Sequence, residues 1–276
     1  MKKSIIWLAS YPKSGNTWTR IFLANYLMNW EKPVPINQVH RFGMGDSIPK
    51  MYHMVAGKEI DINNMHLTLG LRDRVLRGVV ANNSDVNFVK THNQRGSLYG
   101  VEMIPEKYTR SAIYIMRNPL DVAVSYARHY NISYDLTAEA FCRSDTLNGP
   151  DPSSVVQFLG SWTDHVKSWT RFSQFHKVIV RYEDLLDDPE THFAKVLKLV
   201  GVPVEQDRLK KAIRFSSFKE VAAQEAEYGF AEKPDSAEKF FNSGQSGQWR
   251  DKLPKKVVDQ IVKVNGPTME KYGYLP

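Results

Sequence analysis

The feature that most constrains the fold is the segment 4–27, which reads as a strand, a polar turn and a helix. Residues 5–8 are a short run of apolar β-formers, typical of a buried strand. From Thr17 onward, apolar side chains recur at helical spacing. Because the first amides of a helix lack partners and its dipole favours negative charge, this order predicts an anion site at the turn.

The turn itself has the residue types of a phosphate-binding loop. Lys13 supplies a positive charge, Ser14 and Thr17 supply hydroxyls, and Gly15 allows close approach of the backbone. The alternative is a strand, turn and helix that bind nothing, with Ser-Gly-Asn (residues 14–16) serving only as cap chemistry. The Walker A spacing is absent, because Lys13 precedes Gly15 and no lysine follows it, which disfavours an ordinary ATPase or GTPase loop.

Length, charge and cysteine content narrow the class of protein. A chain of 276 residues is long enough for one large α/β domain, predicted here as residues 1–276. The net charge of +7 indicates an anionic ligand or surface, but the charges are dispersed and do not indicate nucleic acid. The single Cys142 is typical of a reducing compartment. The apolar run after residues 1–3 is too short for a signal peptide or a membrane span, so we expect a cytoplasmic protein.

Strands and helices alternate along most of the chain. Further strands are predicted at 86–92, 111–116 and 177–182, and helices at 120–130, 153–172, 189–200, 207–215 and 255–272. This alternation favours a parallel sheet covered by helices on both faces, an α/β fold. Residues 29–64 read as a long loop, whose methionine and aromatic side chains either line an apolar pocket or pack beneath it.

Charged side chains follow two of the predicted strands at their carboxyl ends, where open α/β sheets bind ligands. Lys90 and His92 end one strand, and His92 is the best general-base candidate because neutral imidazole accepts a proton near pH 7. Arg117 ends another strand, and Ser125 lies two turns into the next helix. Arginine suits bidentate phosphate contact. The ordinary alternatives are a salt bridge for Arg117 and a purely structural role for His92. With Lys13, Arg117 favours a doubly phosphorylated ligand.

Six motifs in order give the chain a resemblance to the PAPS-dependent sulfotransferases of the cytosolic type, in the style of bacterial members. The motifs span almost the whole chain and are YPKSGNTW (11–18), KTH (90–92), RNPLDVAVSY (117–126), VRYEDL (180–185), SSF (216–218) and GQSGQWR (244–250). The resemblance implies a P-loop-like parallel sheet flanked by helices. It also implies sulfuryl transfer from 3′-phosphoadenosine 5′-phosphosulfate (PAPS) to a hydroxyl or amine of a small-molecule acceptor, without a metal.

The resemblance also implies roles for individual residues. His92 is the expected base, Lys13 stabilises the leaving phosphate and Lys90 assists. The loop 13–17 would hold the 5′-phosphosulfate. Arg117 and Ser125 would hold the 3′-phosphate, and Trp18, Tyr182 and Phe218 would surround the adenine. The remaining expected donor-site residues are Ser14, Gly15, Asn16 and Thr17 in the loop, and Ser217, Asn242, Ser243, Gly244 and Arg250.

The chain departs from the family pattern in two places. An Arg-Lys pair commonly precedes the first glycine of the late loop, whereas Asn242 and Ser243 stand here, and we expect Arg117 and Arg250 to compensate. The late loop 244–250 is interpreted as a lid or, alternatively, a surface turn. The C-terminal dimerisation motif of animal members is missing from residues 251–264, which leaves the oligomeric state open.

Two other classes of function compete with this interpretation. A P-loop nucleotide kinase or NTPase is disfavoured because the Walker Lys-Ser/Thr pair and a clear magnesium-binding Asp strand are missing. A nucleotide-binding protein that lost catalysis is disfavoured because Lys13 and His92 are both present.

Overall fold

The computed structural model describes residues 2–234 and 237–276. Its strands are β1 Ile5–Ser10, β2 Met44–Gly45, β3 Asn87–Thr91, β4 Ser97–Leu98, β5 Val101–Glu102, β6 Thr109–Met116, β7 Leu147–Asn148, β8 Gln157–Phe158 and β9 His176–Arg181. Five of them form a parallel sheet in the order β2-β3-β1-β6-β9, and β4-β5 and β7-β8 are small antiparallel pairs. The predicted α/β fold with a parallel sheet is confirmed.

Helices flank the sheet. They are α1 Asn16–Met28, a 3₁₀ helix Ile36–Phe42, α2 Pro49–Ala56, α3 Met65–Val80, α4 Pro119–Tyr130, α5 Tyr134–Cys142, α6 Trp162–Thr170, α7 Tyr182–Asp187, α8 Pro189–Val200, α9 Gln206–Phe215, α10 Phe218–Tyr228, α11 Trp249–Lys252 and α12 Lys255–Lys271. Within the described residues, no helix is long and apolar enough to cross a membrane.

Local signals explain where several helices begin. Proline occupies the first turn of α4 and α8, and the preceding Asn118 and Asp188 accept hydrogen bonds from first-turn amides. The predicted helix 153–172 is wrong in its first half, because Ser161 caps α6 and the residues before it form β8 and a turn. Tyr182 begins α7 instead of ending β9. Helix α3 was not predicted.

The central strand β1 is buried along its whole length, as expected for a strand with helices on both faces. Ile5, Trp7 and Ala9 belong to one apolar cluster, which includes residues of α3, α6 and α12. Ile6 and Leu8 belong to the opposite cluster, with residues of α1, α8 and α9. Apolar packing on both faces therefore holds β1 in place, and with it the start of the loop 11–15 that follows the strand.

The carboxyl ends of four strands meet at one edge of the sheet. Ala9 pairs with Thr91 across β1 and β3, and Met116 pairs with Arg181 across β6 and β9. The residues that follow these strands include the loop 11–15, His92, Arg117 and Tyr182. The parallel register thus gathers segments that lie far apart in the sequence.

Candidate active site

The loop between β1 and α1 has a backbone that only certain residues can adopt. Lys13 and Gly15 both have positive φ, 67° and 103°. A Cβ on Gly15 would lie 2.8 Å from Cδ2 of Tyr182, so a side chain would displace that ring. Asn16 secures the loop by donating from Nδ2 to the Leu8 carbonyl at 2.8 Å. The loop is therefore held open at the N-terminus of α1.

Several polar atoms around this loop are buried without a hydrogen-bond partner among the described residues. They are Oγ of Ser14, Nε1 of Trp18 and Nε of Arg117. Folded proteins pair most buried polar atoms, so a group of unpaired ones indicates a place where a ligand or water completes the bonding. The site's donors are suited to an anionic, hydrogen-bond-accepting ligand.

A cavity of about 1000 Å³ lies at this edge of the sheet. Among the described residues, its wall carries seven lysine and arginine side chains against four carboxylates, so it favours an anionic ligand. Fourteen predicted site residues line it: Lys13, Gly15, Asn16, Thr17, Trp18, Lys90, His92, Arg117, Ser125, Tyr182, Phe218, Asn242, Ser243 and Gly244.

Three predicted site residues do not line the cavity. Ser14 is fully buried within the loop. Ser217 caps α10, because its side chain accepts a hydrogen bond from the amide of Glu220. Arg250 is exposed, and its guanidinium carbon lies 4.7 Å from the ring centroid of Trp249. Arg250 therefore does not line the cavity in which it was expected to replace a missing cation.

The tautomer of His92 follows from its hydrogen bond. Its Nδ1 lies 2.8 Å from the carbonyl oxygen of Ser10, which can only accept, so Nδ1 carries the proton. Burial, reinforced by the charge of Lys90, holds the pKa of His92 well below its usual value. The imidazole is therefore neutral at pH 7, and the lone pair of Nε2 is free to accept a proton.

A second histidine fixes the backbone beside His92. Nε2 of His165 donates to the carbonyl oxygen of His92 at 3.1 Å, and its Nδ1 accepts from the hydroxyl of Tyr114 at 2.9 Å. Burial lowers the pKa of His165 to about 3, so the ring stays neutral and can donate and accept at once. Trp169 adds a hydrogen bond from Nε1 to the Asn93 carbonyl at 3.1 Å. Sequence reasoning missed this support.

A buried ion pair supports the same segment from the other side. Asp46, at the end of β2, accepts at Oδ2 from Arg72 at 2.6 Å, Thr91 Oγ1 at 2.8 Å and Asn93 Nδ2 at 3.0 Å. The Asp46 and Arg72 side chains are each 2 % exposed. Thr91 and Asn93 flank His92, so the pair determines the path of the chain on which the candidate base lies.

The cations in the cavity repel one another. The pKa of Lys13 falls to about 7, mainly because of burial and then because of Lys90, Arg128 and Arg117. Burial also lowers the pKa of Lys90. An anion bound among these groups would favour their charged forms, so the electrostatics of the cavity suit an anionic ligand.

Arg117 joins the phosphate loop to the late loop. Its guanidinium donates to the carbonyl oxygens of Lys13 at 3.1 Å and Gln245 at 3.0 Å, and it lies 4.3 Å from the ring centroid of Tyr182. Asp121 adds a second anchor, since its carboxylate accepts from the amides of Gly247 at 2.6 Å and Trp249 at 3.2 Å. These bonds fasten the late loop, which the sequence predicted as a lid or a turn.

Aromatic side chains form another wall of the cavity. Trp18 and Tyr182 meet edge to face, with ring centroids 5.6 Å apart. Phe218 lies across from them, against the late loop, where a Cβ on Gly244 would come within 2.6 Å of its ring. The three aromatic residues expected around an adenine therefore line one cavity, and Gly244 is needed for the approach of Phe218.

The remaining wall is partly apolar and includes residues of the long loop 29–64, which the sequence analysis placed either around an apolar pocket or beneath it. Met44 and Ile48 come from the long loop 29–64, and Phe240 comes from the C-terminal third. Glu232 closes this side through an ion pair with Arg20, Nη1 to Oε1 at 2.7 Å. Burial alone would raise the pKa of Glu232, but hydrogen bonds and charge from Arg20 outweigh it and lower the pKa to about 2.

The sequence and the fold of this chain match known proteins. The model of the family described as "Sulfotransferase domain" matches residues 3–273. Rat sulfotransferase 1 family member D1 is 25% identical over 90% of this chain and 77% of its own length. Bovine sulfotransferase 1A1 is 29% identical over 88% and 76%. The crystal structure of retinol dehydratase with retinol and PAP superposes with a TM-score of 0.65 at 18% identity, covering 98% of this chain and 82% of that one.

The protein has an α/β fold with a cation-rich cavity at the carboxyl ends of its parallel strands. The match over nearly the whole chain identifies it further: the chain belongs to the sulfotransferase family. The resemblance found in the sequence motifs is confirmed.

Proposed function

We propose that this sulfotransferase transfers the sulfuryl group of PAPS to a hydroxyl or amine of a small-molecule acceptor by in-line displacement. The observation that carries the proposal is the neutral His92. Its Nδ1 donates a hydrogen bond to the Ser10 carbonyl oxygen, and its ring lines a cation-rich cavity. A kinase or NTPase would need a lysine after Gly15, and the structure has Asn16 at the start of α1 instead.

The residues present fit the donor. The loop 13–17 and the unpaired Ser14 hydroxyl would hold the 5′-phosphosulfate, and Arg117 and Ser125 the 3′-phosphate. Trp18, Tyr182 and Phe218 would enclose the adenine. When bound, PAPS supplies a sulfuryl group already activated by its bond to phosphate. The PAP named in the retinol dehydratase structure is the matching product.

The side chains of this protein have distinct tasks in the reaction. Nε2 of His92 takes the proton of the acceptor hydroxyl as that oxygen becomes the nucleophile. Lys13, in its ammonium form, and the first amides of α1 compensate the negative charge that develops on the leaving phosphate. Lys90 adds a second positive charge beside His92. The protein thus contributes alignment and charge compensation.

The acceptor is proposed from the shape of the remaining wall. Met44, Ile48 and Phe240 offer apolar contact within the same cavity. Retinol dehydratase has also been crystallised with androsterone, an apolar molecule bearing a hydroxyl group. We therefore favour an acceptor with an apolar body and one nucleophilic hydroxyl or amine.

We also propose that residues 1–276 act as one domain. The free Cys142 supports the further proposal that the protein is cytoplasmic, because cysteines stay reduced there.

The test is a pair of histidine variants. His92→Ala should lower turnover with PAPS and a panel of phenols and alcohols by roughly 10²–10⁴-fold, the range for loss of a general base. Donor affinity, followed by the melting shift with PAP, should stay within a few-fold. His176→Ala, on the exposed part of β9, is the matched control and should leave both unchanged. Turnover by His92→Ala at the wild-type rate, or stabilisation by ATP and Mg²⁺ but not PAP, would disprove the proposal.

A further inference from the structure

A histidine without a role in the sequence analysis lies against the predicted catalytic lysine. Nδ1 of His129, on α4, is 3.2 Å from Nζ of Lys13. The same ammonium lies 4.1 Å from the ring centroid of Phe240. The His129 ring is held edge-on between Tyr130, at 4.8 Å, and Phe240, at 6.0 Å. The ammonium of Lys13 therefore contacts the ring nitrogen of His129 and the ring face of Phe240.

We propose that His129 is a positioning residue that anchors the ammonium of Lys13 in the cavity through a hydrogen bond to its Nδ1. The proposal rests on the proposed function, in which Lys13 compensates charge on the leaving phosphate. A lysine ammonium has three donors and no acceptor, so Nδ1 must accept and the ring proton lies on Nε2. The contact thereby selects both the lysine rotamer and the histidine tautomer.

The surroundings keep His129 neutral, as this role requires. Burial lowers its pKa to about 3, and the charges of Lys13, Lys90 and Arg128 act in the same direction. A neutral acceptor orients an ammonium without cancelling its charge, which a carboxylate would do. The full positive charge of Lys13 is thus available when negative charge develops on the ligand.

The charged and titratable groups that face the pair come from α4 itself and from four other parts of the fold. Cations predominate, and they favour the neutral amine of Lys13, while two carboxylates oppose them more weakly. The facing groups are Lys90 on β3, Arg117 after β6, Arg128 on α4, Asp151 in the loop after β7 and Glu232 in the loop after α10.

The hydrogen bond acts on the pKa of Lys13 in the direction opposite to the neighbouring cations. The proposal therefore predicts the sign of a measurable pKa change. Accepting from the ammonium favours the protonated form, so the bond acts against the burial and the neighbouring cations that lower the pKa of Lys13 to about 7. Removing the acceptor should lower the midpoint by about one pH unit, the size of a typical bond to a charged group. A variant that keeps an acceptor should keep the midpoint.

The experiment follows the ¹³Cε resonance of Lys13 by NMR during a pH titration, with Lys13→Arg identifying the signal. Wild type is compared with His129→Phe, which suits the aromatic cluster but lacks an acceptor, and His129→Gln, which retains a carbonyl. If His129→Phe does not fold, His129→Leu removes the same acceptor. In parallel, kcat/KM for PAPS is measured against pH, because it reports ionisations of the free enzyme.

We expect the Lys13 midpoint to fall by about one unit in His129→Phe and by no more than a few tenths in His129→Gln. At pH 8, kcat/KM of His129→Phe should then be about tenfold lower, because about tenfold less Lys13 is protonated. An unchanged midpoint in His129→Phe, or equal shifts in both variants, would overturn the proposal. Shifted midpoints without any transfer from PAPS would support the anchor and refute the proposed function instead.

Discussion

Replacing Asp46 by asparagine tests how the candidate base is held in place. The substitution keeps the size of the side chain and one acceptor oxygen but removes the charge that faces Arg72. Arg72 stays buried and keeps its bonds to the Met103 carbonyl at 3.0 and 2.6 Å. Its charge, however, no longer has a carboxylate beside it in a region where both side chains are 2 % exposed.

The expected loss of unfolding free energy is large. Breaking a buried ion pair by removing one partner costs about 3–5 kcal/mol, and we place Asp46→Asn near 3 kcal/mol because the amide still accepts. That is a large share of the roughly 5–15 kcal/mol by which domains are stable. The melting temperature should fall by roughly 6–12 °C.

The assay is urea unfolding of Asp46→Asn beside Asp73→Asn. Asp73 forms exposed ion pairs with Arg77, at 2.9 Å, and Lys107, and its side chain is 40 % exposed. Such pairs contribute at most about 1 kcal/mol, so Asp73→Asn should unfold near the wild-type midpoint. The double variant Asp46→Asn/Arg72→Met should lose less than the two single variants together, since it leaves no unpaired buried charge.

Turnover should fall as well, because Thr91 and Asn93 lose the carboxylate that fixes the chain around His92. A displacement of about 1 Å can cost roughly 10²-fold, so we expect ten- to hundredfold slower turnover in the folded Asp46→Asn variant. A loss below 1 kcal/mol, equal to that of Asp73→Asn, would show that the ion pair is not what holds this segment.

Two further predictions concern the donor. Trp18→Ala should weaken PAP binding more than it destabilises the fold, whereas Trp18→Phe should retain most affinity; unfolding without a selective binding defect would mean that Trp18 serves only the core. Arg128→Ala should weaken PAP binding about tenfold or more, as expected for loss of a charge-assisted contact, whereas Arg250→Ala and Ser243→Lys should change it only slightly. The reverse ranking, measured by calorimetry, would restore Arg250 as the replacement for the absent Arg-Lys pair.

The first strand, the loop and the first helix were predictable because their signals are local. An apolar run, a glycine with positive φ and an apolar helix face all lie within residues 4–27. The strand-end positions of Lys90, His92 and Arg117 followed from the same logic, since parallel strands bring their carboxyl ends to one edge. Most of the predicted cavity residues could therefore be found from short stretches of sequence.

The support around the cavity was not predictable in the same way. Asp46 directly follows a two-residue strand within a long loop, and its partner Arg72 lies on a helix that was not recognised. No periodicity connects them. His129 is different, because it stands four residues after Ser125 on one helix, a spacing that places both on the same face. That spacing was a usable signal.

The position of Arg250 outside the cavity has a related reason. Sequence proximity placed Arg250 next to Gly244, but Asp121 binds the amides of Gly247 and Trp249 and turns the chain into α11. Arg250 then lies over Trp249, outside the cavity. Arg128 lines the cavity from α4 instead. A neighbour in sequence is a poor guide to position when a short helix begins between the residues.

The electrostatics of the cavity bear on the order in which ligands bind. Burial and mutual repulsion lower the pKa of Lys13 to about 7 and hold that of His92 well below its usual value. An anion bound beside these groups would reduce this repulsion and so raise both pKa values. A neutral acceptor would leave the repulsion as it is. Under the proposed function, binding of PAPS before the acceptor would therefore charge Lys13 more fully, whereas the opposite order would leave it only partly charged.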